Sequence, residues 1–274
     1  MVPPLLPAHP LALYVHWPFC VSKCPYCDFN SHVRASVDQV AWRVALLADL
    51  AHEATLTGGR TLGSIFFGGG TPSLMDPATI AALIEAASRH WRFATDIEIS
   101  MEANPNSAEA ARFADAAAAG VNRLSLGLQA LDDAALRFLG RAHDVREGLA
   151  ALDAAQRAVA RVSIDLIYAR PGQSATDWDA ELARALAFGT EHLSLYQLTI
   201  EPGTRFETDV RLGNLVPADP DHAATLYELT QARTAAAGRP AYEVSNHAAP
   251  GAGSRHNLAY WRYADYVGIG PGAH

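Results

Sequence analysis

The sequence predicts an α/β fold, a partial (β/α)6 barrel followed by the start of a smaller C-terminal region. Short apolar runs that are typical of buried strands alternate with alanine-rich stretches that are typical of helices. This strict alternation favours a parallel sheet with right-handed crossovers. Six such units, rather than eight, indicate a partial rather than a complete barrel. With 50% hydrophobic residues, the 274-residue chain can bury a substantial core.

The predicted elements follow each other in regular order. The first strand is an alternating apolar run that Pro18 ends. The strands are predicted at 11–16, 64–67, 96–101, 122–128, 161–168 and 192–198. The helices are predicted at about 37–57, 77–91, 107–119, 132–160 with a break near Gly140, and 175–188. We therefore expect a barrel domain over 1–200 and a C-terminal extension over 201–274.

All three cysteines lie in the loop after the first strand, as Cys20-Val-Ser-Lys-Cys24-Pro-Tyr-Cys27. The C-x3-C-x2-C spacing lets three thiolates converge on one centre, and soft sulfur ligands favour an iron–sulfur cluster or zinc. A structural zinc site needs a fourth ligand, for which His16 or His32 is near enough. Three unrelated cysteines are a further alternative. The spacing favours a [4Fe–4S] cluster with one iron left open for a small molecule.

Charge and cysteine usage limit the class of protein. The net charge of −8 argues against nucleic acid as the principal partner. Cysteines confined to one loop indicate a reducing compartment. The proline-rich N-terminus is too short for the apolar core of a signal peptide, and no run of about 18 apolar residues occurs. The sequence therefore predicts a soluble, cytoplasmic protein.

A glycine-rich run, Gly-Gly-Gly-Thr-Pro at 68–72, follows the second strand. Glycines let the backbone approach a ligand closely, so Gly69, Gly70 and Thr71 are candidate binding residues. The run is neither a phosphate loop nor a dinucleotide fingerprint. The alternative is a tight turn with no ligand.

Polar residues also mark the ends of later strands, where parallel barrels hold their sites. Glu102 could bind ribose hydroxyls, or it could be a solvated or salt-bridged strand end. Gln129 ends the fourth strand and could form a hydrogen bond to a ligand. Asp165 lies within an apolar strand, which is costly unless it is paired or faces a ligand, and Arg141 is one candidate partner.

The cysteine loop, with Tyr26 before its last cysteine, resembles the signature loop of radical S-adenosylmethionine (SAM) proteins. In that superfamily the open iron binds the amino and carboxylate groups of SAM. One electron from the cluster then cleaves SAM to a 5′-deoxyadenosyl radical. The resemblance implies cluster ligation by Cys20, Cys24 and Cys27, Tyr26 beside the cofactor, and an electron donor protein as a partner.

Further segments are similar to the oxygen-independent coproporphyrinogen III dehydrogenase group. They are Tyr14 before the cysteine loop, the glycine-rich run, Glu102 before Asn-Pro, Leu-Ser-Leu-Gly-Leu-Gln129, Asp165-Leu-Ile-Tyr and Leu193-Ser-Leu-Tyr-Gln-Leu. The resemblance implies SAM or substrate contacts at Tyr14, Gly69, Gly70, Thr71, Glu102, Gln129, Arg141, Asp165 and Thr199.

Two differences separate this chain from those dehydrogenases. They carry a further cysteine where this chain has Phe29, and a longer N-terminal extension. The segment His256-Asn-Leu-Ala-Tyr-Trp261 is similar to the H-N-x-x-Y-W segment of HemW-type haem chaperones. Imidazole is a common axial iron ligand, and Tyr and Trp can pack on a porphyrin. A packed histidine near a helix is the alternative interpretation of His256.

The resemblance to HemW-type proteins implies a haem chaperone on a radical SAM scaffold. Haem or porphyrin would be the cargo and acceptor haemoproteins the partners, and those acceptors could bring the protein into peripheral contact with a membrane. The rivals are a coproporphyrinogen III dehydrogenase and a radical SAM enzyme with another substrate. The final segment, 268–274, resembles one that family members follow with a smaller domain, so a C-terminal truncation is expected.

Overall fold

The computed structural model describes residues 9–273. The prediction about a signal peptide concerns residues 1–8, which lie outside this range. The strands are β1 (Leu11–Trp17), β2 (Phe19–Cys20), β3 (His32–Val33), β4 (Thr61–Gly69), β5 (Arg92–Ala103), β6 (Arg123–Gln129), β7 (Arg161–Tyr168), β8 (His192–Gln197), β9 (Asn246–Ala248) and β10 (Tyr266–Ile269).

Helices follow most of these strands. They are α1 (Gln39–Thr57), α2 (Pro77–His90), α3 (Ser107–Ala110), α4 (Phe113–Ala118), α5 (Asp133–Phe138), α6 (Val145–Ala158), α7 (Ala175–Ala187), α8 (Arg205–Arg211), α9 (Pro220–Ala236) and α10 (Arg255–Trp261). None of the helices within 9–273 is long and apolar enough to cross a membrane.

One eight-stranded sheet organises the fold, in the order β10-β1-β4-β5-β6-β7-β8-β9. The six predicted strands are its central members and run parallel, which confirms the predicted α/β class. Two edge strands come from 201–274, β10 parallel to β1 and β9 antiparallel to β8. At four and three residues they are too short to produce a periodic signal. The boundary at residue 200 stays a prediction.

Local sequence explains where the helices begin and end. Side chains of Asp38, Asp76, Asp144 and Ser174 accept hydrogen bonds from the first turns of α1, α2, α6 and α7. The predicted break near Gly140 is confirmed, because α5 ends at Phe138 and α6 begins at Val145. Gly140 lies there with a φ of 67°, which favours glycine.

The two faces of the sheet differ in polarity. In β6, Leu124, Leu126 and Leu128 belong to the apolar core beneath the helices. The alternating residues Arg123 and Ser125 are buried on the other face. That face therefore presents polar groups, and these become accessible to a ligand at the C-terminal ends of the strands.

Candidate functional site

A cavity of about 530 Å³ lies at the C-terminal ends of the parallel strands. We call it the central cavity, and its volume is within the usual range for small-molecule sites. Most of the predicted site residues line it: Cys20, Cys24, Tyr26, Cys27, Gly69, Gly70, Thr71, Glu102, Gln129, Arg141, Asp165 and Thr199. Residues from seven different segments are thus brought together. Tyr14 and His256 are not among its lining residues.

The cysteine loop forms one wall of the central cavity and is held by hydrogen bonds. The hydroxyl of Thr71 donates to Cys20 Sγ at 3.5 Å, and Arg141 donates to Cys24 Sγ at 3.4 Å. The backbone N–H of Cys27 donates to the carbonyl of Cys24 at 3.2 Å, which closes a turn. Burial raises the pKa of the Cys27 thiol, while the N–H of Phe29 opposes that effect.

Asn104 connects the residues that support two of the cysteines. Its side-chain amide donates to Thr71 Oγ1 at 3.1 Å and accepts from Arg141 at 2.6 Å. Its backbone N–H donates to the buried carboxylate of Glu109 at 3.0 Å. Sequence reasoning did not single out Asn104 as a site residue, although its position directly after the strand that carries Glu102 was a usable signal.

The glycine-rich run approaches the cysteine loop closely. A Cβ atom at Gly70 would lie 3.0 Å from Cys20 Sγ and 2.7 Å from the carbonyl oxygen of Phe19. Gly69 has a φ of 113° and donates its N–H to Glu102 Oε2 at 3.1 Å. Glycine is therefore required here by close packing of backbone against the cysteine loop, as well as by the turn itself.

Two carboxylates lie at the base of the central cavity. Burial raises the pKa of Glu102 to about 8, the nearby charge of Asp165 adds to the rise, and the N–H of Gly69 opposes it. Burial also raises the pKa of Asp165, which accepts a hydrogen bond from Ser125 at 3.1 Å. No ion pair joins Asp165 to Arg141 among the described residues, since Arg141 instead bonds the cysteine loop and Asn104. Glu102 is thus largely protonated at neutral pH.

Gln129, Tyr26 and Thr199 complete the wall of the cavity. Gln129 has a φ of 66°, and the β6–β7 register shifts just before it, so a bulge turns this residue at the strand end. Arg141 donates to the hydroxyl of Tyr26 at 3.5 Å. Burial raises the pKa of Tyr26. Phe29, at the position of the additional cysteine of the dehydrogenases, also lines the cavity and is 58% exposed.

Tyr14 and His256 meet each other away from the central cavity. Their rings lie 5.8 Å apart, and the His256 ring stacks on Phe66 at 4.9 Å. His256 is only 4% exposed, and neither ring nitrogen has a hydrogen-bond partner among residues 9–273. Burial lowers its pKa to about 3, so the imidazole is neutral. Trp261, at the end of the same helix, is 52% exposed.

The residues of the central cavity fit the cofactors of the radical SAM resemblance. Three thiols in one loop, all partly exposed and none in a disulfide, are the soft donor set that an iron–sulfur cluster takes. The glycine-rich backbone, the protonated carboxyl of Glu102 and the guanidinium of Arg141 supply groups that suit an amino acid and a ribose. Within 9–273 no three His, Cys, Asp or Glu side chains are grouped around a single-ion position.

Comparison with known proteins agrees with this site. The model of the radical SAM superfamily matches residues 14–185. "Radical S-adenosyl methionine domain-containing protein 1, mitochondrial" of Bos taurus is 47% identical over 264 residues, which are 96% of this chain and 60% of that relative. "Heme chaperone HemW" of Escherichia coli is 42% identical over 269 residues, 97% of this chain and 70% of that relative.

The fold also matches a solved structure, that of coproporphyrinogen III oxidase (HemN) from Escherichia coli, which is described as a radical SAM enzyme. The TM-score is 0.80 and the sequence identity 26%, and the match covers 98% of this chain and 65% of that one. This chain spans 60% of the bovine relative and 70% of the bacterial one. Membership in the superfamily implies a [4Fe–4S] cluster and SAM. The chain belongs to the radical SAM superfamily and, within it, to the family of the bacterial HemW proteins.

Proposed function

We propose that this chain is the radical SAM part of a haem chaperone, which binds haem and delivers it to acceptor haemoproteins. The observation that carries the proposal is an identity of 40 to 42% with three proteins named heme chaperone HemW, over nearly the whole chain. Phe29 supports it, because the dehydrogenase group resembled above has a cysteine there. A cytoplasmic location and a separate electron donor protein belong to the same proposal.

In this proposal the thiolates of Cys20, Cys24 and Cys27 hold the cluster. When bound, the cluster and SAM together supply one-electron chemistry. The side chains of the protein hold the cofactors in position. Arg141, fixed by Asn104, offers a guanidinium to a carboxylate.

Glu102, protonated at neutral pH, can donate a hydrogen bond to a ribose hydroxyl as well as accept one. Gln129, Asp165 and Thr199 are further contacts in this proposal. Because the hydrogen bond between Glu102 and the ribose joins two neutral groups, Glu102→Ala is expected to weaken SAM binding by about 0.5–1.5 kcal/mol, as measured by anaerobic calorimetry. An unchanged affinity would remove Glu102 from the site.

His256 is the proposed haem ligand. Its imidazole is neutral and its nitrogens are unpartnered, which is the state that ligates iron. Because His256 is buried against Phe66 and Tyr14, haem binding through it requires α10 to move from the sheet. The adjacent Trp261 is already exposed and could pack on a porphyrin.

The matched pair of variants His256→Phe and His247→Phe tests the haem ligand. Both histidines are almost fully buried and both have an unpartnered Nε2, but His247 lies on β9 at the other edge of the sheet. Phenylalanine keeps an aromatic ring at both positions, and at position 256 it keeps the ring that stacks on Phe66. We expect haem titration, followed by the Soret band, to lose binding in His256→Phe only. Equal binding in both variants, with unchanged circular dichroism, would reject His256 as the ligand.

The rival function is oxidative decarboxylation of coproporphyrinogen III, and the likeness to the HemN structure across 98% of the chain is the observation that favours it. The reconstituted protein, given SAM and reductant, is assayed for protoporphyrinogen IX by high-performance liquid chromatography. The haem chaperone proposal expects haem binding without turnover. Multiple turnovers would replace the chaperone proposal with the enzyme.

A further inference from the structure

A second cavity shares the cysteine loop with the central cavity. It has a volume of about 790 Å³, and we call it the outer groove. Lys23, Cys24, Cys27 and Gly140 line both cavities. The loop is therefore the wall between them. Cys24 and Cys27, two of the three cysteines assigned to the cluster under the proposed function, therefore also line a surface outside the central cavity.

The outer groove carries positive charge in an acidic protein. Lys23, Arg137 and Arg205 line it, although the whole chain has a net charge of −8. The ammonium of Lys23 donates to the carbonyl of Phe29 at 3.1 Å, so its charge is not neutralised there. Arg137 forms no ion pair within residues 9–273. Of these three cations, Arg205 alone forms an ion pair in the part of the chain that the structure describes, with Asp209 at 3.1 Å.

The walls of the outer groove are well packed. The rings of Phe138 and Phe206 stack at 4.9 Å and join α5 to α8. The N–H of Phe206 donates to the carbonyl of Pro25 at 2.9 Å, which ties α8 to the cysteine loop. A Cβ at Gly140 would lie 2.6 Å from Pro25 Cδ, so the turn before α6 also packs on that loop. The groove is thus a preformed surface with an apolar floor and a cationic rim.

We propose that the outer groove docks a one-electron donor protein whose redox cofactor is surrounded by acidic residues, such as a flavodoxin. The inference rests on the cluster assigned under the proposed function. Charge complementarity identifies the partner, because a cationic rim on an acidic protein attracts negatively charged protein surfaces and repels positively charged ones. The reduced flavin anion gives up one electron to become the neutral semiquinone, and the oxidised cluster accepts that electron. No proton moves and no bond forms or breaks.

Charge reversal with a matched control tests the docking surface. The groove variant is Arg137→Glu with Arg205→Glu. The control is Arg146→Glu with Arg211→Glu, which makes the same charge change on α6 and at the C-terminal end of α8, outside the residues that line the groove. Reconstituted proteins are mixed anaerobically with flavodoxin hydroquinone in a stopped-flow instrument, and loss of the visible cluster absorbance gives the second-order rate. Photoreduction with deazariboflavin, a small uncharged reagent, is the reference.

At low ionic strength we expect the groove variant to accept electrons from flavodoxin at least about tenfold more slowly than the wild type, with a weaker dependence on salt. The control variant and all deazariboflavin reductions should match the wild type. Equal flavodoxin rates and equal salt dependence in both variants overturn the docking proposal.

Haem titration of the same proteins tests whether the outer groove binds haem instead of a donor protein. Loss of haem binding in the groove variant, with a normal flavodoxin rate, would assign the groove to a tetrapyrrole dicarboxylate and overturn the docking of a donor. Wild-type protein that holds no iron or sulfide after reconstitution would overturn the cluster, and with it both proposals. A full cluster that flavodoxin reduces at the same rate, with the same salt dependence, in the groove variant and the control would overturn the docking surface alone.

Discussion

Replacing Glu102 by glutamine should change how the stability of the cofactor-free protein depends on pH. The native pKa of Glu102 is about 8, against 4.5 for an ordinary glutamate. Between these values the native state holds a proton that the unfolded chain has released, so this group makes the protein less stable as the pH rises. The loss is complete above pH 8 and amounts to at most about 5 kcal/mol.

The measured change should be smaller than this limit. Water in the central cavity screens part of the charge on Glu102, and we expect about 2–4 kcal/mol. The assay is urea unfolding of cofactor-free protein, without oxygen, at pH 5 and pH 8.5. Glutamine has the same shape and no titration, so wild type should lose about that much more stability than Glu102→Gln over this interval. If wild type and Glu102→Gln lost equal stability between pH 5 and pH 8.5, the raised pKa of Glu102 would be refuted.

Three further predictions, one of them with a comparison variant, have equally direct outcomes. The reconstituted wild type should hold about four iron and four sulfide ions per chain, and Cys24→Ala should hold clearly fewer. A full complement in the variant by chemical analysis would contradict the role of Cys24 as a ligand. Glu181→Leu leaves the buried guanidinium of Arg170 without its 2.6 Å partner and should cost about 3–5 kcal/mol in urea unfolding. Asp179→Ala breaks a more exposed pair and should cost less than about 1 kcal/mol, so equal losses would argue against the buried pair. Asn104→Ala should weaken SAM binding about 5- to 150-fold by calorimetry because Arg141 loses the shortest of its hydrogen bonds, and wild-type affinity would exclude a positioning role.

Local patterns in the sequence were enough to predict the central sheet and the residues at its C-terminal edge. The six parallel strands, the cysteine spacing and the glycine-rich run each depend on neighbours in sequence, so they could be recognised without a structure. The partners of Arg141 could not be predicted, because its bonds to Cys24 and Asn104 join segments 117 and 37 residues apart. Pairing with Asp165 was the simplest expectation from charge alone. The structure instead uses the hydroxyl of Ser125 for that carboxylate.

The position of His256 shows a second limit of local patterns. Its motif predicted a ligand or a packed histidine, and the choice depends on what covers the polar face of the sheet. That information lies in Phe66 and Tyr14, on strands far away in the sequence. A short helix such as α10 has too few turns to indicate which of its residues will be buried.

The pairing of β10 with β1 has a consequence for how the protein is made. The side-chain amide of Asn30, just after the cysteine loop, donates to the carbonyl of Pro271 at 3.3 Å, across a separation of 241 residues. Contacts between such distant segments form late, and on the ribosome they must wait until the later segment has left the exit tunnel. The cysteine loop is therefore synthesised well before the segment that holds Asn30 in place. Cluster insertion is therefore expected to follow the pairing of β10 with β1.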